Sequence, residues 1–61
     1  MSISNYAKSV PSDLKREVRK EFNGPNHAAV YEKLEAFLGE EFCVYEDGTI
    51  YAVAKRIAGV A

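Results

Sequence analysis

Sixty-one residues with eight Lys plus Arg, nine Asp plus Glu and a formal net charge of −1 allow one hydrophobic core and give no overall attraction to nucleic acid or anionic lipid. One cysteine, Cys43, and one histidine, His27, exclude an intrachain disulfide and cannot complete a four-ligand zinc site. The 48% hydrophobic content, with only four Gly and two Pro, argues against disorder; lacking an export signal or an apolar run near the ~20 residues that span a bilayer, the chain is expected to be cytoplasmic.

The first ten residues place Ile3, Tyr6 and Val10 at spacings of three and four, a pattern that fits a docked N-terminal arm or a helical turn. Either way, Tyr6 is expected to pack on the body. Val10-Pro11-Ser12-Asp13 then predicts a helix start, with Ser12 or Ser9 offering an N-cap oxygen and Asp13 lying at the positive end of the helix dipole. This helix is expected to run to about Phe22, closed by Asn23-Gly24-Pro25-Asn26. A second helix is expected from about Asn26 to Leu38, ended by Gly39. His27, Val30, Tyr31, Leu34, Phe37 and Leu38 share an apolar sector of roughly 120° on it.

From Phe42 the pattern reads with a period of two. Phe42-Cys43-Val44-Tyr45 and Thr49-Ile50-Tyr51-Ala52-Val53, around Glu46-Asp47-Gly48, predict a β-hairpin. A two-residue Asp47-Gly48 turn would leave both faces apolar. A three-residue loop with a bulge puts Phe42, Val44, Ile50, Ala52 and Ala54 on a core face, with Tyr45 and Tyr51 opposite, and is the favoured register. The expected fold class is α+β: one small domain spanning 1–61, ordered α-α-β-β, with the second helix packed on the hairpin. A two-stranded sheet needs its edges covered, which points to homodimerisation through the hairpin edge.

Helix 12–22 sorts its residues by chemistry. Lys15, Arg16, Arg19 and Lys20 fill a sector about 140° wide, Asp13, Glu17 and Glu21 a second, and Leu14, Val18 and Phe22 a third. Four cations within two turns make a docking patch for phosphate or an acidic protein surface, to be weighed against an ordinary solvated face. Tyr45 and Tyr51 are the other partner-binding candidates, because a tyrosine ring covers much area at low entropy cost and its hydroxyl tolerates water.

Catalysis is not expected, nor is a cofactor or a metal. There is no phosphate-binding glycine loop, no Gly-x-Ser-x-Gly and no Cys-x-x-Cys, and Glu40 and Glu41 would point to opposite sides of a strand. His27 is expected to be structural, since pairing with Cys43 would require a tertiary contact. The expected function is a non-catalytic protein-binding module or inhibitor that occludes a surface of a larger partner. Alternatives are a nucleic-acid-binding, winged-helix-like protein with the hairpin as wing, or a self-assembling accessory subunit. In size and lack of catalytic groups the chain resembles the short stand-alone proteins of phages and mobile elements that block host machinery, anti-CRISPR proteins among them. The likeness is one of format.

Overall fold

A computed structural model describes residues 2–60 and shows four helices: α1 (Ile3–Ser9), α2 (Ser12–Glu21), α3 (His27–Phe42) and α4 (Asp47–Ala58). Among the described residues there is no strand. The α+β expectation is therefore overturned, and with it the hairpin, its register and a dimer through its edge.

The buried positions of the last segment explain why. Ile50, Val53, Ala54 and Ile57 are all buried and recur at i, i+3, i+4 and i+7, the stripe of a helix lying on a core. The favoured strand register would turn Val53 outward and give no inward place to Ile57. β-Branched and aromatic composition is a weak, context-dependent preference, and burial of the full stripe prevails over it. Asp47-Gly48, expected as a hairpin turn, instead opens α4 after an extended Glu46, with the Asp47 carboxylate at the positive end of the dipole. Gly59, at φ 78°, closes α4 in the left-handed region. The Gly59 and Val60 amides bond back to the Arg56 and Lys55 carbonyls, satisfying two end carbonyls.

Gly39 does not stop α3, which continues to Phe42. It is buried inside the helix with the Tyr45 ring against it, so close that an added Cβ would lie 2.8 Å from Tyr45 Cε1. The true end is at Cys43, a non-glycine residue at φ 55° whose amide bonds to the Gly39 carbonyl. The expected first strand is thus the last residue of α3 followed by a crossing loop. Phe42 packs there against Tyr6 and Phe37, with ring centroids 5.1 and 6.1 Å away.

The expected helix over 12–22 is present as α2, with Leu14 and Val18 buried and Phe22 half-buried against the core. Its capping differs. Pro11 occupies the N-cap without a side-chain bond, and the Ser9 hydroxyl instead donates to the Asn5 carbonyl in α1. Residues 3–9 form a helix whose N-cap, Ser2, accepts from the Asn5 amide, and Tyr6 packs on Phe42 as the spacing suggested.

α4 packs on each of the other three helices, so the segment expected to form a thin sheet is the centre of the molecule. Leu34 and Leu38 of α3 and Ile50 and Val53 of α4 are fully buried. Each such side chain contributes roughly 1.5–3 kcal/mol relative to exposure. α3 therefore packs on a helix where a hairpin was expected.

Candidate binding interface

α2 presents its cations away from the core, but the four do not act as one patch. Lys15 and Arg19, four residues apart, lie along the strip of α2 that faces α1 and α4. There they line a cleft of about 190 Å³ together with Ser4 and Lys8 of α1 and Arg56 of α4. Arg16 lies outside it, exposed and 3.8 Å from Asp13 of its own helix. Lys20 faces a different groove, shared with Glu17, Glu21 and Lys33.

Three of the cleft's head groups are tethered to its walls. Lys15 Nζ donates to the Lys8 carbonyl at 3.4 Å, Arg19 Nε to the Ile57 carbonyl at 3.3 Å, and Arg56 Nη2 to Ser4 Oγ at 3.1 Å. The two carbonyls belong to the last turns of α1 and α4, where helix ends leave acceptors free and the dipole is negative, so cations are drawn there. Among the described residues no carboxylate lines the cleft. The ion pairs among the described residues are Arg16–Asp13 and Lys33–Glu17, and neither involves a cleft residue.

Acidic residues gather elsewhere. Glu32, Glu35, Glu40, Glu41, Glu46 and Asp47 follow one another along α3, the linker and the first position of α4, with Lys33 the one cation in that stretch. α4 links the two regions, running from Asp47 to Lys55 and Arg56 in its last turn, so Asp47 is separated from these two cations by about 12–14 Å at 1.5 Å per residue.

Tyr45 and Tyr51 do not share a face. Tyr45 is 72% exposed, its ring resting on Gly39, and it faces a recess with Tyr6 and Thr49. Tyr51, half-exposed on α4, stacks on Phe22 at 6.0 Å between centroids, and Lys55 Nζ sits 5.7 Å from its ring centre. It borders a small apolar pocket of about 70 Å³ between α2, α3 and α4, with His27, Tyr31 and Glu21 at the rim. One Glu21 carboxylate oxygen there is buried without a hydrogen-bond partner among the described residues. The Tyr31 hydroxyl donates to the Asp47 carbonyl at 2.8 Å, and its pKa is raised above the ordinary 10.0 by burial first, then by the charges of Asp47 and Glu35 and by Tyr51.

His27 is exposed at the start of α3, its Nδ1 2.9 Å from the Gly24 carbonyl, and does not belong to the buried apolar sector. Cys43 follows the last residue of the same 16-residue helix. The helix holds the imidazole and the thiol roughly 24 Å apart, far beyond any proton transfer between them. Among the described residues no group of three His, Cys, Asp or Glu side chains is placed to hold a metal, and no helix is long and apolar enough to cross a membrane.

The sequence points to Lys15 and Arg19 but not to Lys8 and Arg56, which join them only through tertiary packing. Their one advance signal is position, since each lies in the last turn of its helix, where cations suit the dipole. Comparison with known protein families, curated proteins and solved structures finds no match to this chain.

Proposed function

We propose that the protein is a non-catalytic binding module that occludes an acidic surface of a larger protein partner through the basic face of α1, α2 and the last turn of α4. The observation that carries this reading is the convergence of Lys8, Lys15, Arg19 and Arg56, drawn from three helices, on one cleft lined by no carboxylate among the described residues. A local field of this kind attracts an anionic partner despite a net charge of −1.

A protein partner is favoured over nucleic acid by the helices that would have to read a groove. In a helix-turn-helix the second helix lies among phosphates. Here α3, which follows the 22–26 turn, carries Glu32, Glu35, Glu40 and Glu41 with Lys33 alone, and α4 opens behind Glu46 with Asp47. The winged-helix alternative also loses the hairpin that would be its wing. In this reading the chain works as short occluding inhibitors do, anti-CRISPR proteins being one such class.

The test is affinity capture from nuclease-treated lysate of the source cells, comparing the unaltered chain with Lys15→Glu/Arg19→Glu and with Tyr45→Ala/Tyr51→Ala, each shown to be helical by circular dichroism. A protein retained by the unaltered chain, eluted by moderate salt and lost only with the charge reversal is the expected result. Loss only with the tyrosine variant would move the contact surface elsewhere. Capture seen in untreated lysate but absent after nuclease treatment would replace the reading with a nucleic-acid one.

A further inference from the structure

Within this face, we infer that the cleft between α1, α2 and the last turn of α4 is a socket for a phosphoryl dianion, so that the partner is recognised through a phosphorylated side chain. The identity of the carrier rests on the protein-binding reading above, whereas the socket stands on its own geometry. Four cations from three helices line one small space with no counter-charge among the described residues, and their mutual repulsion is relieved by an anion placed among them. A phosphoryl group brings close to two negative charges and three strong acceptor oxygens, where a carboxylate brings one charge and two oxygens in a plane. Donors arriving from three directions match the tetrahedral group.

The tethers strengthen the argument. Arg19 and Arg56 each spend one N–H on a wall contact, and Lys15 likewise. A guanidinium has five donors and an ammonium three, so most remain available. Anchored head groups lose less rotamer freedom when a ligand arrives. The negative ends of α1 and α4 suit all four cations, Lys8 and Arg56 by position and Lys15 and Arg19 by their carbonyl contacts; the socket rests on the convergence of the four on one cleft. A volume of about 190 Å³ also falls below that of sites enclosing drug-sized ligands, about 300–1,000 Å³, so it fits one phosphoryl group better than a whole nucleotide.

The experiment is amide-resolved NMR titration with thermal unfolding, at fixed ionic strength, using inorganic phosphate, O-phosphoserine, acetate and a short oligothymidylate as probes. Phosphate and O-phosphoserine are expected to give saturable shifts at Ser4, Lys8, Arg19 and Arg56 and to raise the melting temperature, whereas acetate does neither. Arg19→Gln/Arg56→Gln is expected to weaken phosphate binding at least tenfold, and Arg16→Gln, outside the cleft, to leave it unchanged. If the double variant does not fold, Lys8→Gln, at an exposed residue whose ammonium makes no hydrogen bond among the described residues, is expected to weaken it several-fold. Equal responses to acetate and phosphate, no saturable response, or unaltered binding in the cleft variants would each overturn the socket. Oligothymidylate binding more tightly than O-phosphoserine would overturn the phosphorylated side chain as carrier. Salt-sensitive capture of a protein with no phosphate response removes the socket alone, and a phosphate response without such capture removes the module reading alone.

Discussion

Replacing Gly39 with alanine sets two effects of similar size against each other. In a helix interior the change from glycine to alanine is worth about 1 kcal/mol through reduced backbone entropy in the unfolded chain. The new Cβ would lie 2.8 Å from Tyr45 Cε1 and 3.3 Å from Cδ1, so the ring must leave. Tyr45 is 72% exposed, so the covered part is roughly a quarter of ~200 Å², about 50 Å². Losing all of that burial costs about 1.3 kcal/mol. Gly39→Ala is therefore expected to leave stability within about 0.5 kcal/mol of the starting protein, whereas in a Tyr45→Ala background it is expected to stabilise by about 1 kcal/mol. Urea unfolding followed by far-ultraviolet circular dichroism on the four members of the cycle measures the coupling directly. The same effect in both backgrounds would show that the ring does not rest on Gly39. Destabilisation in both would place Gly39 in a left-handed helix end, where a β-carbon is strained.

Further measurements probe other parts of the structure. Val53→Ala is expected to cost about 2 kcal/mol because Val53 is fully buried, whereas Ala52→Ser, at a half-buried position, should change stability by under about 0.5 kcal/mol; the reverse order would support a strand in place of α4. The Lys33–Glu17 pair, at 3.1 Å but solvent-exposed, should give a coupling energy below about 1 kcal/mol that shrinks in high salt, and a larger salt-insensitive value would contradict its exposure. Because the folded state holds the Tyr31 proton more tightly than the unfolded chain, the stability this phenol contributes is complete below about pH 10.0 and is lost as pH rises through the higher folded value. Tyr31→Phe should therefore flatten the fall in unfolding free energy above pH 10.0, and identical pH profiles would refute the shift.

How far the fold could be read in advance differs from helix to helix. α2 is bracketed by Pro11 and by Asn23-Gly24-Pro25, and its apolar sector is buried where its spacing puts it, at Leu14 and Val18. α3 is readable at its start but not at its end. A lone glycine after an apolar sector resembles a terminator, and only the Tyr45 ring, six residues further along, reveals that Gly39 makes room for a close contact. α4 is the larger miss. Its β-branched and aromatic residues and the Asp47-Gly48 pair imitate a hairpin, and the helical stripe becomes complete only when Ile57 is counted with Ile50, Val53 and Ala54. For the candidate site, α2 supplies half of the cleft's cations and long-range packing supplies the other half. The aromatic face did not survive, because Tyr45 and Tyr51 could be paired only by the register of strands that do not form.

Along α4, about 12–14 Å separates Asp47 from Lys55 and Arg56, which gives a nearly neutral molecule a charge axis. In the field of a charged body such a molecule feels little pull but a considerable torque, so it is turned before it is drawn in. Encounter is then governed by orientation, and added electrolyte acts first by letting the molecule arrive the wrong way round.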